Sequence, residues 1–319
     1  MNNGITLLTP AHARDYDRFC FQRESIERCG ISIPHVVVVN DEDVALFQQT
    51  PFRKGLTVIA TSQLLSPQIE GRRRAGKLRR RNPLRWWLLR RGGWIHGWLL
   101  QQIIKLAAPK VISTPLIVCI DSDTFFVDRV TEADFCMPDG RAHLYETEDD
   151  IDAEMAEWPA HSMRFLGLKP TGMKLARYTH SPVVFQREVL LDLQKCIEQR
   201  HRRPWDEAIA DAELVMEYTT YGVFAREVDQ LRRVAPVLPR LSTYFWWTEE
   251  VARIAETFTD QVERTRARIV GVQSNTGCTP EQLRVLVEPF WDRHLCELAE
   301  AATIGEANVQ RDSMTGSLT

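Results

Sequence analysis

Two carboxylates, two residues apart, close a short apolar run: Pro115-Leu-Ile-Val-Cys-Ile120 is followed by Asp121-Ser-Asp123. A run that short, opened by proline and rich in Ile and Val, predicts a buried strand. Carboxylates at its carboxyl end are costly unless something pairs with them. A hard divalent cation bridging to substrate phosphates answers that need. Mg²⁺ typically takes one or two protein carboxylates and keeps its other positions for phosphate and water. The plainer reading is an acidic turn in which one Asp acts as an N-cap.

Other residues carry chemistry at suggestive spacings, each with a bland reading beside it. Gln101, Gln102 and Lys105 lie within one helical turn; the bland reading of Lys105 is a solvated helix residue. Glu213 and Glu217 fall at i, i+4 on the helix expected over 205–224, which is most often an exposed face. His180, before Ser-Pro, is either a turn histidine or a ligand. Tyr244-Phe245-Trp246-Trp247 is most simply core, with stacking on sugar rings as the second reading. Asp149, Asp150 and Asp152 are read as a solvated acidic face rather than a second metal site. Residues 71–93 hold many cations and no acid. Such a segment is a solvated loop, a stretch lying on an anionic membrane surface, or a binder of anionic polysaccharide. Charge alone would allow nucleic acid, but no nucleic-acid motif is present.

The elements that must position these residues follow from periodicity. Strands are expected at Gly4–Thr9, His35–Val39, Leu56–Ala60, Pro115–Ile120, Arg141–Tyr145, Thr179–Gln186 and Arg266–Gln273. Helices are expected over Asp15–Cys29 with Gly30 as its cap, Trp94–Ala108, Arg187–Arg200 and Glu249–Phe258, and a last one opening at Thr279-Pro280. Strand, helix, strand at this spacing predicts a parallel sheet buried on both faces. The fold class is therefore α/β, with a mostly parallel central sheet flanked by helices. One domain over 1–304 is expected, with a nucleotide-binding half (4–125), an acceptor half (126–304) and a disordered tail (305–319).

Bulk properties narrow the class. The 319 residues carry a net charge of −3 and are 44% hydrophobic, ordinary for a globular protein. Seven scattered cysteines without a CxxC pair argue for a reducing compartment and against a structural zinc site. Neither a signal-peptide pattern nor a spanning apolar stretch occurs. The expected location is cytoplasmic, with peripheral attachment to the inner face of the membrane through 71–93 as an option.

Taken in order, the motifs resemble a family. Trp98-x-x-Gln-Gln-x-x-Lys105, Ile120-Asp-Ser-Asp-Thr124, His180-Ser-Pro-Val-Val-Phe185 and Glu217-Tyr-Thr-Thr-Tyr-Gly222 resemble the GT-A nucleotide-sugar glycosyltransferases. More narrowly, they resemble the bacterial DUF6492 family, taken to be glycosyltransferases. That resemblance implies transfer of a sugar from a nucleotide-diphosphate donor to a glycan or lipid-linked acceptor, with Mn²⁺ or Mg²⁺ as cofactor. Asp121 would face the ribose or the metal, and Asp123 would ligate the metal. Thr9 and Pro10, and Asn40 and Asp41, would contact the nucleoside at strand ends. Gln101, Gln102 and Lys105 would meet the diphosphate. Glu217, with Glu213 behind it, would take the acceptor's proton. The late metal-ligating His of the pattern has no obvious counterpart, which leaves Gln273, in the loop Gln273-Ser-Asn275, or His180. The rival readings are a nucleotidyltransferase or phosphohydrolase with the same acidic site, and a non-catalytic scaffold.

Overall fold

The computed structural model describes residues 4–81, 95–146, 157–169, 176, 178, 181–238 and 241–293, with side chains given for all but 77–81 of these. Four expectations fall outside that set: most of the basic stretch, the acidic run at 149–152, His180 and the tail. The chain forms two compact units from interleaved stretches, the first from 1–19, 32–122 and 131–239 and the second from 20–31, 123–130 and 240–319.

The first unit holds the central sheet. Strand β1 (Ile5–Pro10) lies between β2 (His35–Val39) and β4 (Leu116–Cys119), parallel to both, and β3 (Leu56–Ala60) extends the sheet parallel to β2. On the far edge β7 (Val183–Gln186) runs antiparallel to β4, giving the order β3-β2-β1-β4-β7. Every residue of β1, β2 and β4 is buried. Their near-continuous apolar sequences are what a sheet covered on both faces requires. The mixed, mostly parallel sheet is the fold class expected from the sequence. A second, two-stranded parallel sheet pairs β6 (Ala142–Tyr145) with β8 (Val234–Val237). The sequence hid β8 because Pro236 sits inside it; a single neighbouring strand leaves room for a residue with no N–H.

The second unit is built on a three-stranded sheet. Strand β10 (Ile269–Val272) lies between β5 (Thr124–Phe126), antiparallel to it, and β9 (Ser242–Phe245), parallel to it. Phe125 and Phe245 pack on Phe258 of the helix Ile254–Thr265. Trp291, in the last helix (280–293), donates its indole N–H to the Phe126 carbonyl at 2.9 Å. Gly30 ends the helix Tyr16–Arg28 with φ 61°. The N–H of Ile31 bonds back to the Ile26 carbonyl, which closes the helix as its sequence predicts.

Two expected helices are broken. Trp205–Ala210 and Glu217–Glu227 are separate helices. Asp211, between them, is held by Arg72 and Arg203 at 2.6 Å each, which ends the first. Glu213 lies exposed in the irregular link, so it does not share a helix face with Glu217. Likewise 248–265 is two helices, Thr248–Ala252 and Ile254–Thr265.

Candidate active site

The carboxyl end of β4 carries an ion cluster. Lys105 belongs to the helix Gly97–Ala107, which His96 caps by accepting the Leu99 N–H. The helix buries Leu100, Gln102, Ile103, Ile104, Lys105 and Leu106. Lys105 is only 4% exposed. Its Nζ lies 2.9 Å from Asp121 Oδ1 and 2.9 Å from Glu217 Oε1, and 4.3 Å from the centre of the Tyr218 ring. Burial alone would push the ammonium's pKa down; the carboxylates of Asp121 and Glu217 outweigh it, and the group ends well above the ordinary lysine value. Burial raises the Tyr218 phenol and the Cys119 thiol beside it well above their usual values, so both stay neutral.

The three charged groups are not equally accessible. Glu217 is 5% exposed, whereas the Asp121 side chain is 39% exposed. Asp121 is thus the face of the cluster, and Lys105 and Glu217 stand behind it. This differs from the roles expected from the sequence. An ammonium bound to two carboxylates and shut from solvent holds Asp121 in place; it does not present itself to a diphosphate. Glu217, bonded to that ammonium, is the counter-charge that lets Lys105 be buried at all.

The motif around Glu217 is explained by packing. Thr220 Oγ1 bonds to Ser162 Oγ at 3.0 Å. Tyr221 Oη accepts the Gln186 N–H at 2.9 Å, tying the helix to β7. Gly222 leaves the space in which the Tyr178 ring rests; a Cβ there would overlap it. Gln102 is 1% exposed, and its amide finds no hydrogen-bond partner among the described residues. Gln101 is half-buried.

A second cluster sits at the carboxyl ends of β2 and β3. Asp41 accepts from Thr61 Oγ1 at 3.0 Å, from the Ser62 N–H at 3.3 Å and from the Ser62 hydroxyl. Burial works against its carboxylate, yet those hydrogen bonds hold its pKa below the usual range. Asn40 Nδ2 donates to Asp43 at 3.0 Å, and Asn40 Oδ1 accepts from Arg73 at 3.0 Å. Arg73 also reaches Glu70 at 2.6 Å and Glu42 at 3.4 Å, and Arg74 reaches Glu70 at 2.8 Å. Sequence reasoning missed this function of the basic stretch. Its described part, within the helix Pro67–Arg81, turns Arg72, Arg73 and Arg74 onto acids. The signal was Glu70, three and four residues before two of them.

The remaining candidates are placed as follows. Thr9 is fully buried: its hydroxyl donates to the Ile120 carbonyl at 2.9 Å and meets His35 Nε2 at 2.9 Å. It ties β1 to β4 and β2, and its side chain is enclosed by the sheet. Pro10 is buried beside it. In the second unit, Asp123 leads into β5. Its carbonyl accepts the Val272 N–H at 3.0 Å, and its carboxylate accepts the Ser274 N–H at 3.3 Å. Gln273 lies between those two residues, capping the turn Ser274–Thr276.

Carboxylate and amide oxygens are hard donors that suit Mg²⁺ or Mn²⁺. Among the described residues, no group of three or more His, Cys, Asp or Glu side chains is placed to hold a metal. Among the described residues, no helix is long and apolar enough to cross a membrane, and no disulfide joins the six described cysteines.

Over residues 6–294 the chain matches a family of unknown function, DUF6492, and it belongs to that family. No curated protein matches it. Among solved structures, it is similar to the galactosyltransferase LgtC in complex with donor and acceptor sugar analogs. The TM-score is 0.45 at 12% identity, over 89% of this chain and 95% of that one. It is also similar to the apo form of the glycosyltransferase GlyE of Streptococcus pneumoniae TIGR4. There the TM-score is 0.44 at 11% identity, over 93% of this chain and 63% of that one. Likeness of this size says nothing of activity.

Proposed function

We propose that this member of DUF6492 is a glycosyltransferase that moves a sugar from a nucleotide-diphosphate donor to a glycan or lipid-linked acceptor. The observation that carries the reading is the exposed carboxylate of Asp121 at the carboxyl end of β4, held from behind by buried Lys105 and Glu217. Ligands of open α/β sheets bind outside the carboxyl ends of the strands. A carboxylate fixed there in one orientation suits a donor whose charge lies in its diphosphate.

Asp121 and Asp123, two residues apart on the chain, would hold Mg²⁺ or Mn²⁺, with Gln273 as a further oxygen donor. Such a cation supplies Lewis-acid stabilisation of a leaving diphosphate. The protein's own contribution is orientation. Lys105 fixes Asp121 through one hydrogen-bonded ion pair, and Glu217 balances the buried charge. Asn40 and Asp41, locked by Arg73, Thr61 and Ser62, offer polar groups at the neighbouring strand ends to the nucleoside. Gln102 and Gln101 lie within a turn of Lys105 on the same helix. We assign Glu217 to positioning and not to taking the acceptor's proton.

The test is product analysis with a panel of nucleotide sugars and Mn²⁺. Release of nucleoside diphosphate supports transfer. Release of nucleoside monophosphate with a sugar phosphate, or release of pyrophosphate when a nucleoside triphosphate and a sugar 1-phosphate are supplied instead, puts the protein among the phosphohydrolases or nucleotidyltransferases. Contact with an anionic membrane through 71–93 would fall to the cations after Arg74, because the three before them face acids. Sedimentation with anionic liposomes that is unchanged when Lys77, Arg79, Arg80, Arg81, Arg85, Arg90 and Arg91 become Ser would sink that contact.

A further inference from the structure

We propose that Tyr244, Trp246 and Trp247 form a saccharide-binding platform that takes a pyranose ring of an acceptor glycan. The inference extends the transferase reading by naming a place for the acceptor, but its geometry lies wholly within the second unit and its test requires no transfer.

The platform begins at a glycine. Gly271, in the middle strand β10, is in register with Thr124 of β5 and Tyr244 of β9. With no side chain on Gly271, the Tyr244 ring lies across the middle strand; a Cβ there would overlap it. Its hydroxyl reaches Thr124 Oγ1 on the far strand at 3.2 Å. The ring is therefore pinned at both ends, by its backbone and by its hydroxyl. Trp246 stacks on it, with ring centres 4.7 Å apart and planes 19° from parallel.

Trp246 is 36% exposed and Trp247 54%, although core positions are available to Phe245 and Phe258 beside them. Large exposed aromatics next to a filled core mark a surface kept for contact. Their backbone is set in advance: the N–H groups of Trp246 and Trp247 both donate to Glu250 Oε2, at 2.7 and 3.0 Å. Gln261 fixes β9 through Thr243 Oγ1 at 2.8 Å and the Tyr244 carbonyl at 3.3 Å. A rigid platform binds with less ordering cost than a loose one.

The chemistry of the ligand follows. A sugar ring presents a face of C–H groups that an aromatic face can cover, and a rim of hydroxyls. Exposed Thr248 and Glu249 lie directly after Trp247 and can accept or donate at that rim. The platform's own strands also lead to the acidic motif: Asp123 immediately precedes Thr124, and its carbonyl accepts from Val272, the neighbour of Gly271. A saccharide on this sheet is thereby bound beside Asp123.

The experiment is binding of the full-length protein to an array of bacterial surface glycans. Saturation-transfer NMR on the glycans that bind, and the double variant Trp246→Ala/Trp247→Ala, complete it. Expected are glycan binding by the wild type, magnetisation transfer to ring C–H protons, and at least tenfold weaker binding by the double variant. Binding of nucleoside diphosphate stays unchanged in the same preparation, so loss of the platform and failure of the donor reading are separable. Should the double variant fold poorly, Trp247→Ala alone, at the more exposed position, must weaken glycan binding by the same route. Equal glycan binding in wild type and variants, or none in either, overturns the proposal. So does a fall in oligomeric size on substitution, which would make the surface a contact between copies of the chain.

Discussion

Two ion clusters stand at strand ends in the first unit, and they are built on opposite principles. At β4 one cation serves two carboxylates. Lys105 is buried and holds both Asp121 and Glu217. At β2 and β3 the bonding is redundant. Glu70 is served by Arg73 and Arg74, Asp41 by two hydroxyls and a backbone N–H, and Asn40 by Arg73. A redundant cluster survives the loss of one member, while a cluster hung on one buried charge does not. Lys105 and Glu217 are among the buried charges of the chain, and the cost of burying them needs a reason.

The largest effect is therefore expected at Lys105. Lys105→Met leaves Glu217 buried without its partner and should cost about 3–5 kcal/mol, read as a lowered urea midpoint. Next comes Glu217→Gln, which keeps size and one hydrogen bond to the ammonium. It should cost about 1.5–3 kcal/mol, with transfer reduced no more than about tenfold. If Glu217 were instead the base, transfer would fall about 10²–10⁴-fold with stability little changed, so measuring both on one variant separates the roles. Arg73→Ala should cost about 1.5 kcal/mol, since its bonds to Asn40 and Glu42 are lost while Arg74 still holds Glu70. A result near the Lys105 value would erase the distinction between the clusters.

The smallest expected effect is that of pH on the Lys105 pairs. A raised ammonium pKa means that their contribution is fully present below the unfolded lysine value, about 10.4. It is lost only as pH rises through the higher folded value. Between about pH 6 and 9 the stability lost on Lys105→Met should not vary through deprotonation of the ammonium. Equilibrium unfolding of both proteins across that range checks it.

The sequence made the sheet legible because β1, β2 and β4 are buried on both faces, and continuous apolar runs cannot hide. Gly30 was legible as a cap because its backbone role is local. The cluster at β4 was half legible. Lys105, Asp121 and Glu217 could each be singled out, but not that one ammonium joins them, because they lie on three separate elements. Their roles therefore shifted once burial was known. Glu213 was misplaced because Asp211, held by Arg72 and Arg203 from elsewhere in the chain, ends the helix before it. Trp246 and Trp247 looked like core, since composition does not reveal that Phe245 and Phe258 had already filled it. Arg73 was hidden within a run of cations whose partners lie in distant loops.

The central claim is that Asp121, oriented from behind by Lys105, is the donor-facing group. Thermal-shift titration with nucleoside diphosphates, with and without Mn²⁺, tests it on wild type, Asp121→Asn and Asp123→Ala. A ligand that binds only the folded state raises its apparent stability. The account predicts a Mn²⁺-dependent rise for the wild type and its loss in both variants. An equal rise in all three proteins would contradict it.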